Sequence, residues 1–226
     1  QAMLQLRLSN FSVAYQGIPA VVNLSLTLTA ATVNLVTGVI GAGKTTLFHT
    51  LLKQRPYDGI IRINGKDLRK IKEKDLFQMV GIVFQNPSQQ FTTTNVLDEV
   101  MENLNIWCPD LNDNQKKQRA QDLMIQYGLW EYRRYSPYML SQGQQRRLGV
   151  AALLAYDCQV LVCDEPTYAQ DRGRTAAIMD ALQQEVVERG LTLILSTHDR
   201  ALAQDYADIL YELKEGSLYE VAQSRL

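Results

Sequence analysis

Cysteine is scarce in this chain, neither sign of charge predominates, and long apolar runs are missing. The three cysteines, Cys108, Cys158 and Cys163, are not spaced as the ligands of a metal, and reduced thiols in a cytoplasmic compartment are the expectation. A formal net charge of −1 and a pI near 6.2 leave no basic field for nucleic acid, so no nucleic-acid partner is expected. The charge runs from Lys66 to Lys74 and at Lys116-Lys117 are interrupted by acids or polar residues and read as solvated faces. No apolar stretch approaches the roughly 20 residues needed to span a bilayer, so the chain is expected to form no translocation path of its own. No targeting segment is expected at the opening residues, and neither an internal repeat nor a low-complexity linker interrupts the sequence. What is present, 226 residues of which 46% are hydrophobic and 21% charged, suffices for one sizeable core with an inserted subdomain.

The first informative stretch is Gly38-Val39-Ile40-Gly41-Ala42-Gly43-Lys44-Thr45, followed by Thr46. It fits G-x-x-x-x-G-K-[ST], in which glycines let the backbone curl until several N–H groups point at phosphate oxygens. Lys44 would set a compact positive charge on the β- and γ-phosphates, and the Thr45 hydroxyl can ligate a bridging Mg²⁺. Val33-Asn34-Leu35-Val36 ahead of the loop reads as a buried strand. Leu47 and Leu51 behind it lie four apart, as on one face of a helix whose N-terminus meets the anion.

Further along, the apolar run Val160-Leu161-Val162-Cys163 predicts a central strand that delivers Asp164 and Glu165 at its C-terminal end, where open α/β sheets bind their ligands. Asp164 is suited to hold Mg²⁺ through water, and Glu165 to orient or deprotonate an attacking water. Ahead of that strand stands Leu140-Ser141-Gln142-Gly143-Gln144. Ser141 precedes Gln144 by the capping-box spacing, and Leu148, Ala151, Ala152 and Ala155 follow at helical intervals, so a helix is expected to start at Ser141. A helix N-terminus carrying a hydroxyl and a glycine is a second phosphate site.

Patterning supplies the rest of the frame. Leu4, Leu6 and Leu8 alternate with polar residues, as do Leu24, Leu26 and Leu28, and Ile61-Arg62-Ile63 before Asn64-Gly65 predicts a hairpin, so an antiparallel β layer should accompany the nucleotide-binding sheet. Glu99 to Leu104 and Gln115 to Tyr127 read as helices, the second stopped by Gly128, and mark a helical insertion over about residues 88–150. Ile178, Leu182 and Val186 mark another helix, with Gly190 as its stop.

With loop, acidic strand and capped pentapeptide in this order, the chain resembles the ATPase domain of ABC transporters from about Leu4 to Gly216. Leu140-Ser141-Gln142-Gly143-Gln144 is similar to that family's Leu-Ser-Gly-Gly-Gln signature. The resemblance implies a P-loop NTPase, RecA-like α/β core with an antiparallel β layer and an inserted α-helical subdomain, all one ATPase domain over residues 1–226. It also implies ATP and Mg²⁺ as cofactors, Tyr15 stacked on adenine, Gln85 contacting Mg²⁺ and the membrane partner, Asp171 in an interface loop, and His198 on the γ-phosphate. Two positions depart from the family: Gln142 where glycine is usual, and Gln170 where leucine is usual.

Gln85-Asn86-Pro87-Ser88-Gln89-Gln90 is similar to the Gln-Asn-Pro-x-x-Gln pattern of energy-coupling-factor (ECF) ATPases, which power import of vitamins or transition-metal ions. The expected partners are integral-membrane transporter subunits and a second ABC ATPase, as homodimer or heterodimer, and the expected location is peripheral, on the cytoplasmic face of the cell membrane. Head-to-tail pairing would sandwich ATP between Lys44 of one subunit and Ser141 of the other. The chain is expected to be a short form or one half of a tandem ATPase. Other ABC importers or exporters, and a non-transport or regulatory ABC ATPase, are the alternatives. Lys44, Glu165 and His198, all present, argue against the regulatory module, and the short separation of Lys44 from Ser141 argues against a coiled-coil DNA-repair ATPase.

Overall fold

The computed structural model describes residues 6–38, 44–51, 56–84 and 86–221, with the side chains of Tyr15, Lys44, Thr45, Thr46 and Gln89 outside the description. Alternating sequence builds the first layer. β1 (Leu6–Tyr15) and β2 (Ile18–Leu28) pair antiparallel, with Leu6 opposite Leu28 and Leu8 opposite Leu26. Next comes β3 (Val33–Thr37), buried at every residue, and then α1 (Lys44–Thr50), so strand and helix flank the glycine-rich loop as a phosphate loop requires.

β4 (Asp58–Ile63) returns to pair with β1 and turns through Asn64 and Gly65 into β5 (Lys66–Asp67), setting Ile63 opposite Lys66. Both turn residues have positive φ, 53° and 80°, which is why an Asn-Gly pair makes the two-residue hairpin expected there. The chain continues through α2 (Glu73–Met79) and β6 (Val80–Val83), then enters a helical stretch: α3 (Val96–Trp107), α4 (Asp113–Gln126) and α5 (Gln142–Leu154). It comes back through β7 (Val160–Asp164), α6 (Arg172–Arg189), β8 (Thr192–Ser196), α7 (Arg200–Tyr206), β9 (Ile209–Lys214) and β10 (Ser217–Val221). Gly190 ends α6 in the left-handed region at φ 76°, as its place in the pattern predicts.

Two sheets result. One has the order β2-β1-β4-β5 and is antiparallel; the other has the order β10-β9-β3-β8-β7-β6, parallel from β9 to β6 with β10 reversed at its edge. The larger sheet is covered on both faces, which explains why its inner strands are largely apolar and buried throughout. Along β7, Val160 and Val162 pack into the core shared with β1, β2 and β4, while Leu161 and Cys163 pack against α3 to α6. Buried Glu99 fits this scheme because its Oε1 accepts from Thr92 N, Thr93 N and Thr93 Oγ1 at 2.7 to 2.8 Å, which pins the segment leading into α3. Among the described residues, no helix is long and apolar enough to cross a membrane.

Candidate active site

β7 and β8 run side by side in register, and their last paired residues are Asp164 and Ser196. The Ser196 hydroxyl, fully buried, donates to Asp164 Oδ1 at 2.6 Å and accepts from Glu165 N at 3.0 Å. Glu165 N also reaches the Ser196 carbonyl at 3.2 Å. These tethers hold Glu165 at φ 55°, a left-handed conformation that costs a non-glycine residue about 1–3 kcal/mol and collects at functional sites. The consequence is a sharp change of direction at the sheet edge. The Glu165 carboxylate, 7% exposed, then lies 3.0 Å from His198 Nε2 through its Oε1, while His198 is half exposed.

His198 is common to two clefts. One, of about 590 Å³, is lined by Glu165, Tyr168, Gln170 and His198 with the starts of α6 and α7. The other, of about 550 Å³, is lined by Thr37, Gly38, His198 and Arg200 with the end of β9. His198 thus links Glu165 to the cleft where the loop after β3 begins.

The signature pentapeptide is built as its spacing predicts. Ser141 is the N-cap of α5: its Oγ accepts from Gln144 N at 3.2 Å, and Gln144 Oε1 accepts from Ser141 N at 2.9 Å, a reciprocal capping box. Leu140 is buried and anchors the turn, whereas Ser141 and Gln142 are exposed. The glutamine at position 142 is thus carried on the outer side of the helix start. Gly143 is buried and has no room for a side chain, since a Cβ there would stand 2.8 Å from the Ala169 carbonyl oxygen.

The loop after the acidic pair completes the picture. Asp171 is the N-cap of α6, accepting from Arg174 N at 2.7 Å. Gln170 Nε2 donates to the Gly143 carbonyl at 2.8 Å, and the Arg146 guanidinium lies 4.6 Å over the Tyr168 ring. Burial holds the Arg146 pKa below the ordinary guanidinium value, partly offset by Tyr168, Glu165 and Asp164. A buried cation thus faces the acidic pair from the signature helix.

Val39, Ile40, Gly41, Ala42, Gly43 and Gln85 lie outside the described residues, as do the side chains of Tyr15, Lys44, Thr45 and Thr46. Gly38 closes the described strand end. Ser196, Gln170 and Arg146 carry no site role in the sequence reading. Ser196 had a signal, since it closes the apolar run before His198 just as Asp164 closes the run before Glu165. Gln170 stood out only as a departure from the family pattern, and the burial of Arg146 had no signal.

A parallel sheet with a strand-loop-helix at its centre, paired acids at the end of the next strand but one and a capped helix N-terminus define the fold of a P-loop NTPase. The family model described as "ABC transporter" matches residues 21–168, more than half of the chain, and the chain belongs to that family. It is 36% identical over 197 residues to the putative HMP/thiamine import ATP-binding protein YkoD of Bacillus subtilis, covering 87% of this chain and 35% of that one. It is 34% identical over 206 residues to the energy-coupling factor transporter ATP-binding protein EcfA1 of Methanospirillum hungatei, covering 90% and 73%. The solved structure of cbiO1 from Clostridium perfringens, part of the ABC transporter complex cbiONQ, superposes with a TM-score of 0.78 at 26% identity, over 95% of this chain and 86% of that one. The chain spans about a third of the length of several curated relatives it matches.

Proposed function

We infer that the protein binds and hydrolyses ATP to power a membrane transporter, and that the transport is ECF-type import of a vitamin or transition-metal ion. The observation that carries this reading is the Glu165–His198 pair, 3.0 Å apart at the ends of β7 and β8 beside the helix that Ser141 caps. The relatives add the transport side: one is named for HMP/thiamine import, another as an ECF ATP-binding protein, and a third is part of cbiONQ.

In this reading residues 1–226 are one ATPase domain with a helical insertion over 88–150, and Tyr15 stacks on the adenine. Gly38 to Thr46 cradle the phosphates, with the Lys44 charge on the β- and γ-phosphates. Asp164, a buried carboxylate at a strand end, is the oxygen donor Mg²⁺ prefers, and the ion would be held by Thr45, Gln85 and Asp164 and neutralise phosphate charge. Glu165 takes a proton from the water that attacks the γ-phosphorus, and the bond to the ADP oxygen breaks as the new P–O bond forms. His198 holds the Glu165 carboxylate and reaches toward the γ-phosphate.

A second ATPase chain, identical or not, supplies Leu140 to Gln144 to the far side of each ATP, with Asp171 at the interface. Integral-membrane subunits dock near Gln85, which puts the protein peripherally on the cytoplasmic face. Closure on ATP and opening after hydrolysis then move those subunits between two states.

Steady-state turnover tests the chemistry. Glu165→Gln keeps the shape but removes the proton acceptor, so ATP hydrolysis should fall about 10²- to 10⁴-fold while ATP binding persists. Turnover at the unaltered rate would remove Glu165 from the role of base.

A further inference from the structure

Position 170 is glutamine where the resembled family usually has leucine, and the structure gives that residue a specific task. Gln170 Nε2 donates to the Gly143 carbonyl at 2.8 Å, joining the loop after β7 to the first turn of α5. A carbonyl oxygen has a second lone pair for such a donor beside its helical one. The approach is close: a Cβ on Gly143 would stand 2.8 Å from the Ala169 carbonyl oxygen and 2.9 Å from Gln170 Nε2.

One turn further along α5, the buried Arg146 guanidinium covers the Tyr168 ring at 4.6 Å. Residues 143 and 146 are three apart on a helix and share a face, so loop residues 168 and 170 grip one stripe of α5. The loop has little freedom of its own. Tyr168 N donates to the Glu165 carbonyl and Gln170 N to the Thr167 carbonyl, both at 3.2 Å, while Glu165 and Ala169 sit at φ 55° and 61°.

We propose that Gln170 is a positioning residue that locks the loop beginning at Glu165 onto the signature helix, so that Glu165 and Ser141 are set by one rigid unit. The lock follows from the contacts alone. Its catalytic consequence rests on the proposed function, in which Glu165 serves the chain's own ATP and Ser141 serves that of a second chain. A change felt at either residue would then be passed to the other through the Gln170 amide.

The test uses Gln170→Leu, which keeps the bulk and removes the donor, and Gln170→Glu, which keeps the shape and sets a carboxylate oxygen against the Gly143 carbonyl. Hydrogen exchange without nucleotide should quicken about 2- to 10-fold in residues 141–145 and 167–171 together for the leucine variant, and more for the glutamate variant, with β7 and β8 unchanged. In turnover assays kcat should fall by the same factor at unchanged KM, a split that mere loss of stability would not produce. Exchange that changes in only one of the two segments, or in neither, overturns the lock. So does a glutamate variant that behaves as the parent. Failure of the parent protein to hydrolyse ATP would instead overturn the proposed function, and the exchange pattern would still decide the lock.

Discussion

Replacing Ser196 by alanine removes one hydroxyl from between the two acidic residues, and its cost can be worked from the contacts. Ser196 is fully buried, and its Oγ donates to the carboxylate of Asp164, itself 2% exposed, at 2.6 Å. Hydrogen bonds to charged groups contribute about 1.5–3 kcal/mol each. The same oxygen accepts from Glu165 N at 3.0 Å, but that N–H keeps the Ser196 carbonyl at 3.2 Å, so this loss adds only about 0.5–1 kcal/mol. The expected destabilisation is about 2–4 kcal/mol, large for a single oxygen atom. Urea unfolding should show it as a midpoint lowered by roughly 1 M at constant slope. In an Asp164→Ala background the same substitution should cost under about 1 kcal/mol, because its charged partner is already gone. Turnover should also fall, since one of the two tethers that hold Glu165 in its left-handed conformation is lost. An unchanged midpoint with unchanged turnover would refute the reasoning that Ser196 fixes both acids.

Gly143→Ala should destabilise by about 1–3 kcal/mol in thermal or urea unfolding, because the new methyl meets the Ala169 backbone oxygen at 2.8 Å and backbone yields poorly. Burial pushes the Cys158 thiol up to about 11, against about 9 when free, so the folded chain keeps a proton that the unfolded chain releases. Stability should therefore decline as pH rises from about 9 through about 11, and Cys158→Ala should make that decline less steep, the Cys163 and Cys108 thiols, also raised by burial, keeping part of it. Lys44→Ala should abolish tight Mg·ATP binding in a nucleotide titration, whereas Tyr15→Ala should weaken it without abolishing it.

Much of the fold was legible because its signals are local. The runs at Val33, Val160 and Leu191 are largely apolar and buried at every residue, as strands covered by layers on each side must be, and Asn64-Gly65 demanded a turn with positive φ. Ser141 and Gln144 declared their capping box by spacing alone. The contacts that bind the site together depend instead on distant parts of the chain. That Ser196 stands level with Asp164 is a matter of register between β7 and β8. That Arg146 is buried over Tyr168, and Gln170 bonded to Gly143, depends on how α5 approaches the loop after β7, which no periodicity encodes.

The central claim, that one chain's Ser141 acts on ATP held by another, is tested most directly by size-exclusion chromatography of the Glu165→Gln protein with and without Mg·ATP. A dimer should form only with ATP and disappear when Ser141→Arg is added, while ATP binding by the monomer stays intact. Loss of monomeric ATP binding on Ser141→Arg would place the signature in its own chain's site and contradict the head-to-tail arrangement.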